Sequence, residues 1–324
     1  PWDGALGFED GVAVVRYRVS LGWNPPPAPG ALSAPLVSGE KLHIVGFAFL
    51  PDLYLGEDAI EVAGRVRFSL REGQRVVASL EQVDETTFAA RSTIALADAM
   101  FEAGRFHLER HELHGVKVTV VSGGWDGTAI APAVALLRRI FDEAHAMLGP
   151  PDATHVLVVL EPRDLHGGEK FGRGERVGLV NVSEHPVSGG PMSPLGLPYI
   201  HELLHIWWPR GPLFRDRWIK EGLTDFLALR LATRLDKVDE ATRSHALLQT
   251  FEAYSALAKG GTLSPGDAGE GVYGYHVGSL IGRCLEARLG LEPFLSTFRA
   301  VANRKGPEAW LSAADYVEVV GARQ

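Results

Sequence analysis

The spacing of apolar positions changes once along the chain. Up to about residue 120 the apolar residues alternate with polar ones, or run together over strand lengths. Gly11–Leu21, Lys41–Leu50, Arg65–Leu70 and His114–Gly124 predict strands, and Asn24–Gly30 is a proline-rich loop. Ala95–Gly104, rich in alanine, predicts one short helix. From about residue 125 the spacing becomes three and four. Gly127–Gly149 predicts a long helix closed by a glycine and two prolines. His155–Leu160 and Arg176–Ser183 predict two strands, and helices follow over Leu197–Trp208, Arg217–Arg234, Ala241–Ala258, Tyr275–Leu289 and Pro293–Ala302. The expectation is an α+β chain: a β-rich domain over 1–120, then a domain over 121–324 with a small sheet and a helical lobe. No internal repeat or low-complexity tract interrupts it.

Composition narrows the partners. The chain has 324 residues, 46% hydrophobic and 22% charged, which suits about two globular domains. A formal net charge of −8 disfavours nucleic acid and anionic membrane as partners. The longest apolar runs, such as His43–Leu50 and Val156–Leu160, are too short to insert across a bilayer. The chain starts at Pro1 with no signal-peptide pattern, and an exported and a cytoplasmic origin both stay open. Oligomeric state is not legible. A single cysteine, Cys284, excludes an intrachain disulfide. It lies in an amphipathic segment and is expected to be a buried thiol.

The chemistry concentrates in Tyr199–Pro209, "YIHELLHIWWP". His201 and His205 are four apart and share one helix face, where two imidazoles can hold one zinc ion. Glu202 is rotated by about 100° from His201. That places it beside the metal as a general base for water. In a chain with 12 histidines such a pattern also arises by chance, and two packed core histidines are the plain alternative. A hydrolytic zinc ion needs a third protein ligand and one open position. Arg217–Arg230 predicts a second amphipathic helix carrying Glu221, and Pro209, Gly211 and Pro212 let the chain turn back. Asp225, one turn beyond Glu221, can accept the free N–H of a ligating histidine.

"HELLH" followed by "WIKEG" (Trp218–Gly222) resembles the gluzincin metallopeptidases, above all the aminopeptidase N and glycyl aminopeptidase families. The resemblance implies a thermolysin-like catalytic domain, a zinc cofactor on His201, His205 and Glu221, and a peptide or protein substrate. It also implies two residues that composition and spacing do not. "GRGERVGLV" (Gly172–Val180) occupies the place of the family's Gly-Ala-Met-Glu-Asn stretch, so Glu175 would take the substrate's α-amino group. Gly174 and Arg176 stand where the family has methionine and asparagine. In "YGYHVG" (Tyr273–Gly278), Tyr275 matches the family's oxyanion-stabilising tyrosine, with Val277 in place of lysine. Tyr273 and His276 are rivals for that role. The gap from His205 to Glu221 is shorter than in aminopeptidase N. Arg71–His107 loosely resembles the β domain of the glycyl aminopeptidases.

The resulting expectation is a zinc aminopeptidase with Glu202 as base and Tyr275 on the oxyanion. An endopeptidase or processing peptidase on the same zinc site is the alternative, as is a weakly active peptide-binding protein on a peptidase scaffold. His107, His111 and His114 echo the metal motif, but the last two fall on opposite faces of a predicted strand.

Overall fold

The computed structural model describes residues 3–9, 12–18, 36–38, 41–46, 54–55, 58–59, 63–90, 95–96, 99–122, 126–151, 154–162, 177–182, 196–207, 218–258, 273–303 and 313–321. The chain divides into two compact units, Pro1–Arg105 and Phe106–Gln324.

The first unit is built of short strands. β1 (Asp3–Glu9) and β2 (Val12–Arg18) form a hairpin. β3 (Leu36–Ser38) and β4 (Lys41–Val45) are followed by a two-stranded pair, β5 (Tyr54–Leu55) and β6 (Asp58–Ala59). β7 (Gly64–Arg67), β8 (Arg75–Ala78), β9 (Glu81–Gln82), β10 (Thr87–Ala90) and β11 (Met100–Gly104) complete the unit. They assemble as sheets β3-β4-β11-β8 and β7-β10-β9. Phe68, Phe88 and Phe101 pack together with ring centroids 5.3 to 6.2 Å apart. The helix expected over Ala95–Gly104 is therefore corrected in its second half: residues 95 and 96 are helical, but Met100–Gly104 is a strand with all five residues buried. A strand covered on both faces has no alternation to display. Alanine and glutamate in such a strand look like helix formers.

The second unit holds the mixed sheet β12-β13-β14-β15, formed by β12 (His107–Leu113), β13 (Val116–Ser122), β14 (His155–Pro162) and β15 (Val177–Val182). β12 and β13 are antiparallel, and β13, β14 and β15 are parallel. His114 and Gly115 close the first pair with φ of 48° and 80°. Two consecutive positive φ values are the signature of the tight hairpin turn that suits twisted strands. Because this hairpin is bonded to β14, the second unit begins at Phe106, earlier than the boundary expected near 120.

Helix α1 (Gly127–Leu148) crosses over between β13 and β14. Asp126 caps its start, accepting from the Ala129 N–H at 3.0 Å, and Gly149 at φ 83° ends it. Ile130, Ala133, Leu137, Ile140, Phe141 and Ala144 form its fully buried stripe. The helical lobe consists of α2 (Leu197–Leu204), α3 (Leu223–Arg234), α4 (Glu240–Ala258), α5 (Gly278–Leu289), α6 (Leu291–Asn303) and α7 (Ala313–Gly321). α7 has no counterpart among the sequence expectations.

Cys284 is exposed, which corrects the expectation of a buried thiol. The inward stripe of α5 runs through Gly278, Ser279, Gly282 and Glu286, and position 284 lies off it. The strand expected over Arg176–Ser183 coincides with β15.

Phe141, fully buried, meets Trp207 edge-on at 5.4 Å, and the Trp207 indole N–H donates to the Gly149 carbonyl at 2.8 Å. The sheet-packed helix α1 thus holds the end of the segment that carries the two histidines. Phe141→Ala is expected to cost about 3–5 kcal/mol. Urea unfolding followed by circular dichroism measures this, and a loss below about 1 kcal/mol would contradict the packing described.

Candidate metal centre

The segment from Leu197 enters as an α-helix with a proline in its first turn, which needs no backbone N–H there. The α-helix ends at Leu204, and His205–Trp207 tightens into a 3-10 turn. The expected helix to Trp208 is thus wound differently over its last turn. His201 and His205 still share a face: both are buried, with rings 4.7 Å apart and nearly perpendicular. Their Nε2 atoms lie 3.0 Å apart.

The second strand of the site begins with a π-helical turn at Trp218–Gly222, which leads directly into α3. Glu221 sits in that turn, and its Oε2 is 3.2 Å from His201 Nε2 and 3.4 Å from His205 Nε2. Among the described residues, these three form the one group of histidine, cysteine or acidic side chains whose atoms could close on a metal ion. Asp225, one turn along α3, accepts a hydrogen bond from His201 Nδ1 at 2.6 Å. That contact fixes the tautomer that leaves His201 Nε2 facing the cluster. The Tyr275 ring lies 5.8 Å from the His201 ring, tilted by 36°. It is carried by a second π-helical turn, Tyr273–Val277, which precedes α5. Glu175 and Gly174 lie outside the described residues.

Electrostatics divide the two histidines. Burial lowers the pKa of His201, but the Asp225 charge and hydrogen bond prevail and raise it to about 10. Burial pushes His205 down to about 4. Glu221 loses by burial but gains more from hydrogen bonds with both histidines, which hold it well below the usual carboxylate range. Burial pushes Glu202 up to about 8, against the pull of His201. Without a metal, then, a proton on His201 sits between the lone pairs of the cluster.

The donor set fits zinc. Two imidazole nitrogens and one carboxylate oxygen converge from two sides, the number and kind of protein ligands that a hydrolytic zinc ion takes. His205 Nδ1 is buried without a hydrogen-bond partner among the described residues.

Sequence reading missed three features of the site. Gly222 and Gly278 touch backbone to backbone, so that a Cβ on Gly278 would overlap the Trp218 carbonyl oxygen and Gly222 Cα. The Ser279 hydroxyl donates to the Gly222 carbonyl at 3.1 Å. The Lys220 ammonium stands close enough to act on Glu202, Glu221 and His205. The glycines flanking "WIKEG" and "YGYHVG" were the available signal for the first.

No protein-family model matches the chain, and a search of the curated proteins finds no relative. Solved structures do resemble it. An aminopeptidase N family protein from Idiomarina loihiensis superposes with a TM-score of 0.64 at 15% identity, over 83% of this chain and 54% of that one. A mutant M1 zinc metallopeptidase from Deinococcus radiodurans, bound to the substrate Tyr-Ser-Ala, gives 0.60 at 14% identity over 92% and 70%. Legionella pneumophila aminopeptidase A with aspartic acid gives 0.56 at 14% identity over 82% and 31%. The chain thus has the fold of the M1 zinc aminopeptidases, a mixture of helices and small sheets, and spans about half the length of the first of them.

Zinc binding at this cluster must displace the His201 proton, so uptake is expected to release at least one proton near neutral pH. The sign follows: affinity tightens as pH rises toward about 10, the His201 value, and weakens as pH falls. Isothermal titration of zinc into the metal-free protein, in buffers of different ionisation enthalpy, measures the release. Identical heats in all buffers would contradict it.

Proposed function

We propose that the chain is a zinc metallopeptidase of aminopeptidase type, its second unit serving as a thermolysin-like catalytic domain. The observation that carries this is the meeting of His201 Nε2, His205 Nε2 and Glu221 Oε2 within 3.4 Å of one another.

His201, His205 and Glu221 would hold the ion, and Asp225 would keep the His201 imidazole oriented. When bound, zinc polarises the scissile carbonyl and makes water more acidic. Glu202 takes a proton from the attacking water and delivers it to the leaving amine. Burial already makes its carboxylate more basic than a surface glutamate, which suits a base working near neutrality. Tyr275 is supported as oxyanion donor by its place beside His201. Its phenolic O–H would donate to the charge that develops on the carbonyl oxygen. Glu175 would pair with the substrate's free ammonium, a charge-assisted hydrogen bond that selects for an unblocked N-terminus. That assignment rests on the sequence resemblance alone.

Glu202→Gln is expected to lower kcat by about 10²–10⁴ while the protein keeps its zinc. Tyr275→Phe is expected to lower kcat by about 10²–10³, also with zinc retained. Turnover of Tyr-Ser-Ala beside elemental analysis checks both, and an undiminished rate in the glutamine variant would overturn the mechanism.

Cleavage of Tyr-Ser-Ala is expected to fall by about 10-fold or more when its amino group is acetylated, because the carboxylate assigned to that group then lacks its partner. Equal rates on the free and blocked peptides, compared by chromatography, would favour an endopeptidase on the same zinc site.

A further inference from the structure

Helices α3 and α5 run side by side in the same direction. Gly222 meets Gly278, Phe226 meets Gly282, and Arg230 pairs with Glu286, so each rung lies four residues beyond the last on both helices. A Cβ at Gly282 would come within 2.7 Å of the Phe226 ring, so the approach is close along its length. Each helix opens with a π-helical turn, one carrying Glu221 and the other Tyr275. A π turn is wider than an α turn, with its hydrogen bonds spanning five residues, so its carbonyls point along other directions than those of the helix that follows.

Two buried hydroxyls reach carbonyls of the turn that carries Glu221. Thr224, fully buried, donates its hydroxyl to the Lys220 carbonyl. Ser279, also buried, donates to the Gly222 carbonyl from the neighbouring helix. Lys220 and Gly222 are the residues on either side of Glu221. The peptide unit that leads into Glu221 is thus held from its own helix, and the unit that follows Gly222 is held from the helix that succeeds the Tyr275 turn.

We propose that Thr224 and Ser279 are positioning residues for the metal ligand Glu221, and that Ser279, across the Gly222–Gly278 contact, couples the placement of that ligand to the turn bearing Tyr275. The inference rests on the zinc reading above. Neither hydroxyl touches the ion or the substrate. Each acts by fixing a carbonyl of the turn that carries Glu221, so that its carboxylate is already aimed when the metal arrives. Removing one hydroxyl takes away a hydrogen bond that orients the turn and lets the turn rotate.

The experiment is a zinc affinity measured by competition with a chelator, for the unsubstituted chain, Ser279→Ala, Thr224→Ala and Thr297→Ala. Thr297 is the control: its buried hydroxyl donates to the Pro293 carbonyl at 2.9 Å on α6, in the same manner but within another helix. Loss of a group that orients a metal ligand typically weakens affinity 10- to 100-fold. Ser279→Ala and Thr224→Ala are each expected to weaken zinc binding by about 10-fold, and Thr297→Ala to leave it unchanged while lowering Tm by a similar amount. If the unsubstituted chain takes up no zinc, the metal reading itself fails. If it does, and the Ser279 and Thr224 variants bind as tightly, the inference is overturned. The same holds if Thr297→Ala weakens binding equally, since general loosening then accounts for the effect. If Ser279→Ala does not fold, Thr224→Ala carries the comparison, and unchanged affinity there overturns the bracket around Glu221.

Discussion

Three lone-pair atoms sit within 3.4 Å of one another in the interior, on His201, His205 and Glu221. Such a group repels itself unless a cation lies between its members. In the metal-free chain a proton does this, held on His201 by Asp225. Everything around the cluster opposes its relaxation. Trp207 ties one side to the end of α1, and the fully buried Phe141 packs under the indole. On the other side α3 cannot withdraw, because its start rests against the backbone of α5. The fold therefore keeps together atoms that would separate in a free chain. That is preorganisation in the ordinary sense: the cost of gathering the ligands is met during folding.

The legible part of this arrangement was local. His201 and His205 lie on one helix, and a spacing of four is enough to set them together. The long helix α1 announces itself by its stripe and by the glycine and prolines that close it. Glu221 and Asp225 were readable because the motif told where to look. Other features were hidden for definite reasons. β11 is buried on both faces, so its sequence alternates nothing, and the alanines that precede it imitate a helix. Cys284 belongs to an amphipathic segment whose inward stripe is made of glycine, serine and glutamate, so ordinary hydrophobicity points to the wrong face. The π turns leave no periodic trace in five residues. The hydroxyls of Thr224 and Ser279 look like any other serine or threonine until their partners are known.

The parallel course of α3 and α5 explains why two residues 54 positions apart can serve one site. Glu221 and Tyr275 occupy adjacent turns at the same level of a helix pair whose rungs repeat every four residues. Glycine at the first rungs lets the backbones touch, and a side chain there would push ligand and phenol apart together. The last rung is ionic rather than apolar: Arg230 and Arg283 both pair with the buried carboxylate of Glu286. A buried carboxylate is costly without such partners. It fixes the register at the end of the pair far from the metal.

Arg299 adds a further relation. From α6 its guanidinium donates to the carbonyls of Met147 and Leu148, at the same end of α1 where Gly149 accepts from Trp207. The last carbonyls of a 22-residue helix have no intrahelical donors, and here they are divided between the metal segment and a helix some ninety residues further along the chain. A fragment cut just after α5 would retain every residue of the cluster and still lose part of the seal on α1. The groups that close α1 thus extend further along the chain than those that line the cluster, as far as Arg299.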